Sequence, residues 1–234
     1  MRSGSRGSES RFVTPELFDF LEELRAHNER AWFERNRARY ERHVRDPLLA
    51  LTDALQEPLA EISPSILAIP RKQGGSLFRV HRDVRFSADK RPYKTAAALQ
   101  FRHEAGGDVH APGFYLHLEP GNVFAGAGMW RPPRRELDAL RGAIGESPDR
   151  WRRVRRAVEK AGWRLDGDSL LRMPRGWPAD HPAAEDLRRT DHLVTFDLSE
   201  QDACAPGFAD RYVELCRGAA PLLAFQCGAL DIPW

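Results

Sequence analysis

Three patterns in the sequence predict an α+β fold with a mostly antiparallel sheet of about five strands. Apolar residues recur at helical spacing from Leu17 to Ile62. Alternating apolar and polar residues are then grouped between Phe78 and Ala127, with one late run at His192–Leu198. Helical patterns return after each group, so strands do not alternate one for one with helices, as a doubly wound parallel sheet requires. The sheet is expected to pack against N-terminal, middle and C-terminal helices.

The elements follow in order. Residues 1–11 read as a flexible tail, and 12–234 as a single domain with no linker or repeat to divide it. Thr14-Pro15-Glu16 supplies an N-cap, a proline at the first helical position and an acid in the first turn. Asn28 can cap a second helix carrying Trp32, Phe33, Asn36, Tyr40 and Val44. Asp46-Pro47 repeats the cap-and-proline pattern before Leu48, Leu51, Leu55, Leu59 and Ile62. Strands are expected over Phe78–Phe86, Ala97–Phe101, Phe114–Leu118 and Val123–Ala127, with Pro120-Gly121-Asn122 as a type II turn. Pro132-Pro133 opens a helix bearing Leu137, Leu140 and Ile144. Another helix covers Pro148 to Lys160, and a last one Ala209 to Ala224, where Pro221 should kink or shorten it.

The chain has 234 residues, 41% apolar and 30% charged, which suits a globular protein and excludes disorder, collagen and coiled coil. No stretch approaches the roughly 20 apolar residues of a membrane helix. The opening MRSGSRGSESR lacks the apolar region of a secretory leader. Cys204, Cys216 and Cys227 match no zinc or disulfide pattern. Cys216 and Cys227 fall about 20° apart on a helix, as buried thiols of one face would. A cytoplasmic protein without membrane association is therefore expected.

The net charge of +2 is unevenly spread. Residues 71–94 hold eight basic residues and two acids, a net +6, while the other 210 residues carry −4. The chain has 32 Arg and four Lys, and Lys72, Lys90 and Lys94 all fall in this segment. If 77–86 is extended, Arg79, His81, Asp83 and Arg85 share one face. Asp83 can then hold the neighbouring guanidiniums by charge-assisted hydrogen bonds. The turn Ser87–Tyr93, with Pro92 restricting Arg91, can return Lys90 and Lys94 towards that face. Fixed cations around one void suit phosphate or carboxylate.

The run RxxRDxRFxxDKxxYK at 79–94 resembles the signature of domain-of-unknown-function family 2461, found in bacteria and fungi. Asn28 to Asn36 with Tyr40 is similar to its N-terminal block. Gly126–Pro132 with Arg141 and Ile144 is similar to its middle block, and Pro174–Gly176 with His181-Pro182 and Leu187 to a later one. The resemblance spans most of residues 14–200. It implies one domain and directs attention to the basic segment, and it implies no reaction.

Three readings of the segment stand side by side. In the first, it binds a phosphorylated or carboxylated small molecule. Arg79, Arg82 and Arg85 clamp the anion, Lys90 or Lys94 stabilises developing charge, Tyr93 or His181 moves protons, and Asp83 organises the site. In the second, the cations hold nucleic-acid phosphates without chemistry, and a flat stripe joined to Arg150–Arg156 would carry them. In the third, the Arg–Asp network is structural, and removing Asp83 costs stability if the network is buried. Whether the protein is an enzyme is left open, as is its oligomeric state.

Other motifs weigh less. Gly126-Ala127-Gly128 lacks the third glycine of a dinucleotide site, so close backbone packing is expected there. His117, Glu119, Asp83 and His181 are conceivable metal ligands, but no ligand spacing supports them, and neither a metal nor a cofactor is expected. Trp130 beside Arg131 reads as a core-edge aromatic. His181 also admits a structural reading.

Overall fold

Pro15 opens helix α1 (Pro15–Ala26) in the computed structural model, which describes residues 11–234. Residues 1–10 of the expected tail lie outside the described residues. Leu17, Phe20, Leu21 and Leu24 are buried, as their spacing requires. The next two expected caps are not caps. Glu29 occupies the cap position of α2 (Arg30–Tyr40), and Asn28 is used elsewhere. Asp46 lies inside a continuous helical path: α2 widens into a π-turn at Glu41–Arg45 and runs on as α3 (Asp46–Ala54), followed by α4 (Gln56–Ile62). A widened turn just before Pro47 relieves the clash of its ring with the preceding turn, so the helix continues where the proline suggested a start.

The strands are β1 (Ile66–Leu67), β2 (Ala97–His103), β3 (Gly113–Glu119), β4 (Asn122–Met129), β5 (Arg164–Asp166) and β6 (His192–Leu198). They form one antiparallel sheet in the order β1-β2-β3-β4-β6-β5. The protein is thus α+β with an antiparallel sheet, as expected, but the strand set differs. β1 and β5 are too short to show a period. The expected strand at 77–86 does not form. Phe78 N donates to Ala98 O at 3.0 Å and Gln100 N to Ser76 O at 2.9 Å, so residues 76–78 line the edge of β2. Beyond them, Lys94 N donates to Val80 O (2.7 Å) and Arg82 N to Pro92 O (2.9 Å), which makes a two-rung ribbon. The ladder stops at Asp83. The Asp83 and Asp89 carboxylates accept from the backbone N–H groups of Arg85 and Arg91 and so replace strand bonds with local turns. Val84 and Phe86 have no sheet to face, and Phe86 is 96% exposed.

Gly121 takes φ +76° in the turn joining β3 to β4, as a type II turn demands. Helix α5 (Arg134–Glu146) starts right after Pro132-Pro133, as expected, and α6 (Pro148–Lys160) matches its expected span. Short α7 (Ala184–Arg188) and α8 (Glu200–Ala203) carry no periodic pattern. Helix α9 (Phe208–Ala229) runs through Pro221 rather than ending near it. Buried residues on both sides of the proline, including Cys216, Ala219, Leu222, Leu223 and Phe225, hold the helix in place.

Most side chains of one sheet face enter a single apolar cluster with the helices. Leu99, Phe101, Phe114, Leu116, Leu118, Ala125 and Val194 meet α1, α3 and α9 there. Each such Leu or Phe contributes about 1.5–3 kcal/mol relative to exposure. The strand period puts Gln100, Tyr115, His117, Phe124, Gly126, Gly128, Leu193 and Thr195 on the opposite face.

Candidate functional site

A cavity of about 480 Å³ sits on that second face. Phe78, Tyr115, Phe124, Trp130 and Leu193 wall it, and Gly113, Gly126 and Gly128 expose backbone at its floor. Gln100, Thr195 and Asp166 add polar groups. The glycines have different causes. A Cβ on Gly113 would lie 2.6 Å from Phe101 O, and Gly128 has φ +122° with a Cβ position that collides with His192 O. Close backbone packing thus explains those two. A Cβ on Gly126 would touch Tyr115 Cβ at 3.4 Å, an ordinary contact, so Gly126 opens space without relieving a clash.

Residues two apart on β3 form a hydrogen-bonded line beside the cavity. Tyr115 Oη is 3.0 Å from His117 Nδ1, and His117 Nε2 is 3.3 Å from Glu119 Oε2. The His117 ring stacks on Phe124 with centroids 4.7 Å apart. A carboxylate only accepts, so Nε2 carries the proton and Nδ1 accepts from the Tyr115 hydroxyl. Burial opposes ionisation of Glu119, but bonds from His117, Asn122 and Thr95 outweigh it and hold its pKa below the ordinary value. Burial raises the Tyr115 phenol to about 12. Tyr115 therefore stays a phenol near neutrality. Its oxygen is free to accept a hydrogen bond from a ligand, and its proton is aligned on a base. His117 and Glu119, read from sequence as conceivable metal ligands, meet each other but neither Asp83 nor His181. Among the described residues no group of three or more His, Cys, Asp or Glu is arranged to hold a metal.

Lys94 stands against one wall of this cavity, over Phe78, without itself lining it. Its Nζ lies 4.9 Å above the centroid of Phe78, the ring that also packs edge-on to Tyr115. Lys94 is half-buried and has no carboxylate partner among the described residues. Burial, then the charge of Arg79, lowers its pKa. On the other rim Arg131 lies 5.0 Å over Trp130, whose indole also stacks on His110. Arg131 has φ +46°, held there by Asp191. The buried Asp191 carboxylate accepts from Arg131 N (2.7 Å) and Asp168 N (2.9 Å) and so ties two rim loops together.

The rest of the basic segment is arranged differently from its expected clamp. Arg82 pairs with Asp89, which also binds Arg91. Arg85 pairs with Asp83 through Nε (3.0 Å) and Nη2 (2.7 Å). The carboxylate between two guanidiniums is thus Asp89, not Asp83. Bonds from Arg85 hold the Asp83 carboxyl at about 2, and bonds from Arg91 and Arg82 depress that of Asp89. The Asp83–Arg85 pair is well exposed and the Asp89 pairs are partly so, and none of these groups is buried. Lys90 donates to Val84 O at 3.0 Å and braces the loop. Tyr93 is 2% exposed and stacks on Phe33 at 4.2 Å. Its backbone is held by Asn28, whose Nδ2 donates to Tyr93 O (3.1 Å) and whose Oδ1 accepts from Tyr93 N (3.0 Å). His181 Nδ1 accepts from Ala183 N and Nε2 faces Gly145 O, so both ring nitrogens serve the backbone, away from residues 71–94. Sequence does not single out Tyr115 or Thr195, and the close packing expected at Gly126-Ala127-Gly128 holds at Gly128 but not at Gly126. The polar register of β3, Tyr115-x-His117-x-Glu119, was the available sign.

These features define a two-layer α+β protein with helices on one sheet face and a cavity on the other. The chain belongs to the family described as "Conserved hypothetical protein (DUF2461)", which it matches over residues 16–225. No curated protein and no solved structure matches it.

Proposed function

We propose that the protein binds an anionic small molecule with a flat apolar body in the sheet-face cavity, the anionic group meeting Lys94. The position of Lys94 carries this reading: a half-buried ammonium without a carboxylate partner stands over a ring that walls an apolar cavity. The volume lies within the roughly 300–1,000 Å³ of small-molecule sites. The largely apolar lining favours a carboxylate or phosphate on an apolar frame over a sugar phosphate, whose hydroxyls would go unpaired. Of the expected clamp, Arg79 has no ion-pair partner among the described residues, while Arg82 and Arg85 are occupied. Tyr115, oriented by His117, is the group we assign to accept from the ligand or exchange a proton with it. The nucleic-acid reading has less support. The basic segment lies at the β2 edge, whereas α6 with Arg150–Arg156 leads into β5 at the opposite edge. The free and buried Cys216 and Cys227, with the Cys227 thiol raised to about 12 by burial, suit a reducing cytosol.

Fluorescence titration with anilinonaphthalene sulfonate and neutral N-phenylnaphthylamine tests the reading. Wild type should bind both. Lys94→Ala should lose about tenfold in sulfonate affinity and keep the neutral probe. Gly126→Val should lose both while melting normally. Equal sulfonate binding by Lys94→Ala and wild type would remove the anion contact, and unchanged binding by Gly126→Val would remove the cavity.

A further inference from the structure

Helix α5 carries a buried guanidinium that lacks a close counter-charge. Arg141 is 7% exposed. Its Nε donates to Leu187 O at 2.8 Å and its Nη2 to Arg189 O at 3.0 Å. These carbonyls supply dipoles, not charge. Nη1 makes no hydrogen bond among the described residues, and the carboxylate it approaches, Asp138, is 3.9 Å away and 59% exposed. A buried cation in such surroundings is unfavourable unless a charge comes to meet it. Burial accordingly lowers the Arg141 pKa.

Arg141 lines a second cavity, of about 520 Å³, together with Arg134, Arg175, Asp138 and Trp177. Arg134 and Arg141 are two turns apart on one face of α5, with Asp138 between them. Arg134 also turns to Asp138, at 3.6 Å, and Arg175 has no ion-pair partner among the described residues. Three guanidiniums thus line a cavity with one exposed carboxylate, which only Arg134 and Arg141 approach, leaving a local charge of +2. The loop that brings Arg175 is fixed in place. Trp177 lies across Gly145, where any Cβ would collide with its ring, and His181 Nε2 donates to Gly145 O at 3.2 Å. Leu170, 41% exposed, and Pro174 extend an apolar wall beside the cations.

We propose that this cavity is a binding site for a phosphate monoester, with Arg141 as the buried contact, Arg134 and Arg175 at the rim, and Trp177 and Leu170 against the organic part. A phosphate dianion matches the charge, and guanidinium forks match its oxygens. The site is separate from the sheet-face cavity and does not depend on Lys94.

Titration calorimetry of the full chain at constant ionic strength tests it, with inorganic phosphate and phenyl phosphate as probes. Wild type should bind both, phenyl phosphate more tightly. Arg175→Ala, a change at an exposed residue, should weaken both by about tenfold. Asp138→Asn should tighten both, because it removes the competing carboxylate. Lys94→Ala should bind like wild type. Equal binding by Arg175→Ala and wild type, or no gain in Asp138→Asn, would overturn the site. Phenyl phosphate binding no tighter than inorganic phosphate would overturn the monoester assignment.

Discussion

Asn28 closes the most distant connection made by a single side chain in the basic segment. It offers a donor and an acceptor to the two backbone groups of Tyr93, as a neighbouring strand would. Tyr93 is buried, so losing these partners leaves backbone groups unsatisfied. Asn28→Ala should lower stability by about 1–3 kcal/mol, measured as a shift of the urea midpoint, and Asn28→Asp, which keeps the acceptor, should fall between. Asp83→Asn is the comparator from the same segment. Its partner Arg85 is 76% exposed, and exposed pairs contribute little. It should therefore melt with wild type, contrary to what a buried network would require. A large loss in Asp83→Asn would mean that the segment packs differently.

Helix α8 is only four residues long, and its end is secured by side chains. Ser199 Oγ accepts from Asp202 N at 3.0 Å, and Asp202 Oδ2 accepts from Ser199 N at 2.9 Å. Asp202 also pairs with Arg211 of α9, so the cap joins two helices. The backbone bond from Ser199, its hydroxyl and Arg211 lower the Asp202 pKa to about 2. A depressed carboxyl adds stability above its unfolded pKa and loses it as pH falls through the folded one. Asp202→Ala should cost about 1 kcal/mol near neutrality, and the deficit should shrink between about pH 4 and pH 2. Guanidinium melts across that range measure it, and a deficit that persists at about pH 2 would contradict the capping account.

The whole molecule registers acid through His192. This residue sits at the start of β6, 2% exposed, with Nε2 unpartnered among the described residues and the ring edge-on to Trp151. Burial, then the charges of Arg141 and Arg189, hold its pKa at about 3 against an ordinary 6.5. Between those values the unfolded chain binds a proton that the folded one refuses, so stability falls as pH drops through this window. The slope approaches about 1.4 kcal/mol per pH unit. His192→Leu should be less stable than wild type near neutrality, and the gap should narrow towards about pH 4. Urea midpoints along a pH series test this, and a gap that stays constant would show that His192 does not set the acid limit.

The sequence alone determined the elements whose cause is local. The Pro148 start and the spacing of Trp151 and Val158 specify α6, and the alternation of Phe114, Leu116 and Leu118 specifies β3 and its core face. Periodicity reports which side of an element avoids water, and that side is set within a few residues. Tertiary structure decided the rest. The same alternation at Phe78–Phe86 formed no strand, because local turns at Asp83 and Asp89 competed and no sheet lay beside Val84. Which cations are neutralised was equally undetermined. Arg82 finds Asp89 seven residues away, while among the described residues Lys94 meets the Phe78 ring and Arg141 meets backbone carbonyls at close range. The sheet-face cavity joins Phe78, Gly126, Asp166 and Leu193, which strand order alone makes neighbours. A pattern within one element describes its own faces. A site is the space left between elements and the charge left unpaired there, and both depend on partners far away in the chain.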